Sequence, residues 1–176
     1  MKLVEKKISS RIIYKGKILN LRLDQIELPD QSYSKREIIE HSGGVAIIPV
    51  LDDQIILIKQ YRSPAAEILL ELPAGKIDPG EEHGITARRE LQEETGYQAG
   101  KLEHIYSFYS SPGYSDEIIH LYLAEELLEV GGEPDQGEFL EVFMLNKEDI
   151  KYYLKSGKIK DAKTITGLLE YLRRDI

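Results

Sequence analysis

Three glutamates, Glu90, Glu93 and Glu94, fall within the stretch RRELQEETGY at spacings of three and four. In a helix those spacings put Glu90 and Glu94 one turn apart on one face, with Glu93 flanking it. Like charges so placed destabilise a helix by about 0.2–0.5 kcal/mol per pair. Two of them also stand near its C-terminal end, where the helix dipole disfavours anions. Local stability does not account for the arrangement, whereas a bound divalent cation does. Magnesium favours carboxylate and carbonyl oxygens and works together with substrate phosphates. An acidic face of this kind suits phosphoryl chemistry, in which metal neutralises charge and activates water. Arg89 stands beside the cluster, placed to brace a carboxylate. In front lies the turn Asp78-Pro79-Gly80, and Gly75 lets the backbone bend so that the Ala74 carbonyl also faces the metals. On spacing alone, a solvated acidic face behind an ordinary turn is the commoner origin of such a charge run.

The elements that must hold these residues are readable as well. A helix is predicted from about Glu82 to Thr95, closed by Gly96, with Ala87, Leu91 and Ile85 as its inward stripe. Upstream, Arg11–Tyr14, Leu19–Leu28 and Ser34–Glu40 read as strands; Leu19, Leu21 and Leu23 alternate with polar residues. GVAIIPVL and QIILIKQ, split by Asp52-Asp53, suggest a buried hairpin. Further strands are expected at Ile68–Leu72, Leu102–Phe108, Ile118–Ala124 and Phe139–Leu145, with a loop after Pro73-Ala74-Gly75. Two helices close the chain. Asn146 caps the first, which ends before Gly157, and Asp161 caps the second, Ala162–Arg173. The sum is a mixed α/β sandwich without regular βαβ units. A seam is expected near residue 42, between N-terminal strands (1–41) and a catalytic domain (42–176).

Composition narrows the partners. The chain has 176 residues and a formal net charge of −8, so duplex nucleic acid is a poor partner. It has no cysteine, which removes thiolate nucleophiles and disulfides. The stretch MKLVEKKISSRIIYKG holds no continuous apolar run, and no segment has the roughly 18 uninterrupted apolar residues of a membrane span. No signal peptide and no membrane partner are expected, and the chain reads as cytoplasmic. His41, His83, His104 and His120 are scattered in sequence and suggest no metal site; His83 is expected to be exposed.

The segment GKIDPGEEHGITARRELQEETGY, from Gly75 to Tyr97, resembles the Nudix box G-x5-E-x7-R-E-U-x-E-E-x-G-U, where U is bulky and apolar. Gly75, Glu81, Arg89, Glu90, Leu91, Glu93, Glu94 and Gly96 fill the specified places. Tyr97 departs from the usual aliphatic residue, which bears on packing more than on chemistry. The resemblance implies a Nudix-type α/β/α sandwich with a mixed sheet, plus N-terminal antiparallel strands. It also implies hydrolysis of a nucleoside diphosphate linked to another moiety, with Mg2+, which Mn2+ can replace. Glu90, Glu94 and the Ala74 carbonyl then correspond to metal ligands, with Glu93 supporting them as a catalytic residue. Gly75, Glu81, Arg89 and Gly96 have structural roles.

Features outside the box resemble the ADP-ribose pyrophosphatase subgroup. They are Pro112, sixteen residues after Gly96, the stretch YRSPAAEILLELPAG and the stretch GEFLEVFML. The implied reaction converts ADP-ribose and water to AMP and ribose 5-phosphate. Tyr114, seventeen residues after Tyr97, is a rival signal for dinucleoside polyphosphates. Other nucleotide sugars, such as ADP-glucose or GDP-mannose, are further alternatives. A non-catalytic nucleotide sensor is disfavoured by the intact carboxylate set. By resemblance Arg62 contacts substrate, with a surface salt bridge as the plain alternative. Glu71 either meets a ribose hydroxyl or pairs with Arg62. In the subgroup a glutamate before the last strand often activates water. Here that loop is EVGGEPDQGEFLEV, and Glu138 is the main candidate. Two residues earlier stands Gln136, which cannot act as a base; if the base belongs there, Asp135, Glu133 or a metal-bound hydroxide must serve. The subgroup also implies a homodimer with swapped N-terminal strands.

Overall fold

The computed structural model describes residues 3–134 and 136–174. Its contacts divide the chain into two units. One comprises residues 1–43 and 109–118, the other residues 44–108 and 119–176.

The first unit is a three-stranded antiparallel sheet of β1 (Lys6–Lys15), β2 (Leu19–Glu27) and β3 (Tyr33–His41), with β2 central. The segment 109–118 joins it through backbone bonds, Ile39 N–H to Tyr114 O at 2.7 Å and Asp116 N–H to Ile39 O at 3.2 Å. β1 is longer than its short apolar stretch suggests, because pairing with β2 recruits the flanking lysines and serines. Every residue of β1 is exposed.

The second unit holds the remaining strands: β4 (Gly44–Leu51), β5 (Gln54–Arg62), β6 (Glu67–Glu71), β7 (Ala74–Lys76), β8 (Tyr97–Tyr109, whose last residue groups with the first unit), β9 (Ile118–Glu129, whose first residue does likewise) and β10 (Leu140–Asn146). It also holds α1 (His83–Thr95), α2 (Lys147–Lys155) and α3 (Ala162–Arg174). The sheet order is β10-β5-β4-β9-β8, with β6 on β5 and β7 on β4. The hairpin β4–β5 forms as its two apolar runs imply. Asp52 and Asp53 both take positive φ (47° and 62°) in its two-residue turn, a conformation short polar side chains tolerate. Beyond the turn the strands part. β4 runs parallel to β9, and β5 pairs with β6 and β10.

Alternation along β4 feeds two cores. Ala46 and Ile48 join Leu57, Leu121, Ile150, Leu168 and Tyr171 on the α2/α3 face. Val45 and Ile47 join Tyr122, Ala124 and the α1 residues Ala87 and Leu91 on the other. Each large apolar side chain buried in this way contributes about 1.5–3 kcal/mol. The result is a mixed sheet with helices on both faces. Ile85 does not join the inward stripe of α1. It is 57% exposed, and Thr86 is buried instead. Two residues from Ala87, at about 100° per residue, Ile85 points away from the face that Ala87 and Leu91 share.

Both closing helices are capped as expected. Asn146 Oδ1 accepts from Asp149 N–H at 2.9 Å, and Asp161 Oδ2 accepts from Thr164 N–H at 2.9 Å. The stretch Ala74–Lys76, not expected as a strand and with only Lys76 in the expected loop, is a short strand, because β4 supplies partners for its backbone. No described helix is long and apolar enough to cross a membrane.

Candidate active site

α1 starts after Glu82 and ends on Gly96, whose φ of 82° is the left-handed conformation that favours glycine. Between these ends the helix presents its carboxylates beside β7. Glu94 is 6% exposed, and its Oε2 accepts from the Ala74 N–H at 2.8 Å. Burial pushes its carboxyl up to about 8 against that hydrogen bond, with the charges of Glu90 and Glu138 adding to the rise. The Glu90 carboxyl is also raised, chiefly by burial and then by Glu93 and Glu138, despite the pull of Arg89. Glu138 is exposed, and its charge is among the lesser influences that raise the Glu90 and Glu94 carboxyls.

Gly75 is needed for space. A Cβ there would stand 1.9 Å from the Glu90 carboxyl carbon. Its φ is not in the positive range, so close approach by Glu90, rather than a special bend, accounts for the glycine.

Arg89 gathers three carboxylates. Its guanidinium reaches Glu81 at 3.1 Å, Glu90 at 2.8 Å and Glu93 at 3.0 Å. The Glu81 bond is the largest of the influences that hold Arg89 protonated. Glu81 also accepts from Thr86 Oγ1 at 2.8 Å, which ties the loop to the first turn of α1. Its carboxyl is lowered by Arg89 and then by Thr86. The loop after β9 is tied to the other end of α1, where Val130 and Gly131 N–H both donate to Gly96 O at 3.0 Å.

A second charged group lies on β5 and β6. Arg62 donates to Glu71 through Nε at 2.7 Å and Nη2 at 2.8 Å, and Lys163 Nζ also donates to Glu71. The Glu71 side chain is 1% exposed. Burial works to raise its carboxyl, but the bonds from Arg62 and Lys163 outweigh it and bring it down. Of the two readings for Glu71, pairing with Arg62 is the one formed here. Lys163 was missed in the sequence. A lysine in the first turn of α3 sits against the helix dipole, a signal that an acid elsewhere holds it.

Pro112 and Tyr114 belong to the first unit and are exposed. Glu133 and Gln136 are exposed, and Asp135 lies outside the described residues. His83, His104 and His120 meet in space, and His83 is half-buried.

Among the described residues no three histidine or carboxylate side chains are already gathered to hold a metal ion. The donor chemistry nevertheless fits magnesium. The donors are hard oxygens, and Glu94 is a buried carboxylate with no cationic side chain in contact among the described residues. Glu90 fills the space that a Gly75 side chain would take. A dication would supply the missing countercharge.

Comparison with known proteins adds to this geometry. The NUDIX domain family model matches residues 40–167, and the nucleoside diphosphate sugar hydrolase N-terminal domain model matches residues 5–39. An ADP-ribose pyrophosphatase of Bacillus subtilis (strain 168) is 47% identical over 97% of this chain and 94% of its own length. A methanol dehydrogenase activator of Bacillus methanolicus is 41% identical over 96% and 92%. A solved structure described as an ADP compounds hydrolase superposes with a TM-score of 0.85 at 23% identity, covering 97% of this chain and 95% of its own. That likeness concerns the fold alone.

Proposed function

The chain belongs to the Nudix family, and from that premise we propose that it hydrolyses the pyrophosphate bond of ADP-ribose to AMP and ribose 5-phosphate. The observation that carries the substrate is the 47% identity, across nearly the whole chain, to a protein named ADP-ribose pyrophosphatase. Pro112 and the stretches flanking the box agree with it.

In this reading Glu90, Glu94 and the Ala74 carbonyl hold Mg2+, which Mn2+ can replace, with Glu93 in support. When bound, the metal offsets charge on the diphosphate and makes water easier to deprotonate. Arg89 keeps Glu90 and Glu93 oriented and Glu81 secures the loop ahead of them. Arg62 has one guanidinium nitrogen not engaged by Glu71, and it faces a diphosphate oxygen; Glu71 and Lys163 fix its direction. Glu138 accepts the proton of the attacking water. The water oxygen bonds to one phosphorus as the bridging oxygen leaves with the other. Support for Glu138 comes from its electrostatic coupling to Glu90 and Glu94.

With Mg2+ and a panel of ADP-ribose, ADP-glucose, GDP-mannose and diadenosine tetraphosphate, ADP-ribose gives the highest kcat/KM. A higher value for the tetraphosphate would make Tyr114 the better guide, and no cleavage of any member would favour a nucleotide sensor.

Residues 1–41 act as a dimerisation element in the same reading. Ile8, Ile12, Ile13 and Tyr14 on β1 are 47–58% exposed in the single chain, an apolar surface that a second copy would cover. Sedimentation should give a dimer, and Ile12→Glu should shift it to monomer. A monomeric parent chain would refute this role.

A further inference from the structure

Three of the four histidines meet at the N-terminal end of α1. His83 opens that helix, His104 lies on β8 and His120 on β9. The His83 and His120 rings stack at 4.1 Å between centroids, with 5° between their planes. His104 lies 5.3 Å from His83 and 6.0 Å from His120. Hydroxyls hold all three rings. Tyr122 bonds His83 Nδ1, while Ser107 Oγ bonds His120 Nδ1 at 2.7 Å and His104 Nε2 at 3.1 Å.

Nothing in the carboxylate chemistry described above uses this group. Packing does not require it either, since His104 is exposed and the other two are half-buried. The surroundings favour the neutral form of His120. Burial lowers the His120 pKa, and the neighbouring His83 and His104 lower it further. Neutral imidazole is the form that binds metal.

We infer that His83, His104 and His120 form a binding site for one divalent transition-metal ion of the zinc type, separate from the carboxylate cluster. Three points support it. Metal-ligating histidines bind through one nitrogen and donate the other N–H to an oxygen. Tyr122 and Ser107 are so placed for Nδ1 of His83 and His120, and neither Nε2 atom has a hydrogen-bond partner among the described residues. Next, a metal–nitrogen distance of about 2.0–2.1 Å in a tetrahedral site puts ring centroids roughly 5 Å apart. The observed separations of 4.1, 5.3 and 6.0 Å bracket that value. Finally, Glu82, whose charge reaches Tyr122, offsets the helix terminus for an incoming cation.

The rings now stack and do not converge on one point. Binding would require the His83–His120 stack to open so that three ring nitrogens converge, with water as the fourth ligand. Magnesium does not compete, because it prefers oxygen donors.

The test is a Co2+ titration of the untagged full-length chain in excess Mg2+. Four-coordinate Co2+ on imidazoles absorbs visible light strongly, whereas six-coordinate Co2+ on carboxylates absorbs weakly, so the two sites are spectrally distinct. A strong band should saturate at one equivalent. His104→Gln and His120→Gln should each raise the Kd at least ~10-fold, with metal-free melting unchanged. His41→Gln and Glu94→Gln should leave the band intact. The inference is overturned by absence of a strong band, by an unchanged Kd in the exposed-site variant His104→Gln, or by loss of the band in Glu94→Gln.

Discussion

Replacing Glu94 with Gln lowers kcat at least ~100-fold, since it removes a charged metal ligand, and at the same time raises the Tm of the metal-free protein. The two effects have one cause. Glu94 is 6% exposed and its carboxyl is pushed up to about 8, from an ordinary 4.5. A folded-state pKa above the unfolded value means that the folded chain holds the extra proton between those two pH values. Stability of the metal-free protein therefore falls as pH rises from about 4.5 to about 8, and levels off above that. Gln carries no charge and escapes this loss, so its gain in Tm is larger at pH 8.5 than at pH 5. Added Mg2+ follows the same logic and stabilises the parent chain more at the higher pH. Steady-state kinetics and thermal melts in chelator check both halves. Near-normal turnover in Glu94→Gln would remove Glu94 from the metal site, and a metal-free Tm unchanged at pH 8.5 would overturn its raised carboxyl.

Glu71→Ala is expected to destabilise the fold by about 2–4 kcal/mol. Removing one member of a buried ion pair costs about 3–5 kcal/mol, because it strands the partner charge. Here the Glu71 side chain is 1% exposed and serves two cations, Arg62 and Lys163. The Arg62 side chain is 38% exposed, so solvent screens part of the loss and the lower range applies. Freed of Glu71, Arg62 also loses its direction, and KM should rise more than kcat falls. Urea denaturation and steady-state kinetics measure the two. A loss below about 1 kcal/mol would show that water replaces Glu71 readily.

The helix and the box were legible because their information is local. A period of 3.6 residues puts Glu90 and Glu94 on one face and Ala87 and Leu91 on the core face, whatever surrounds them. The same periodicity, applied strictly, excludes Ile85 from the inward stripe. The capping residues Asn146 and Asp161 were legible for a similar reason, since a cap bonds a backbone N–H only three residues away. Ala74–Lys76 was not, because Gly and Lys carry little strand preference and only pairing with β4 makes the segment extended.

By itself the sequence determined the carboxylate set, its spacing, the glycine before it and the family that this pattern marks. Tertiary structure decided what state those groups are in. Glu94 has a raised carboxyl because packing of α1 on β4 and β7 removes it from water and brings Glu90 and Glu138 near. Glu71 is saturated because Lys163, 92 residues later, reaches it. Three histidines spread along the chain become one group because α1, β8 and β9 converge where they stand. Spacing along a chain encodes neighbours within a turn or a strand. Burial and charge coupling depend on contacts across tens of residues, and these exist only once the sheet has closed around them.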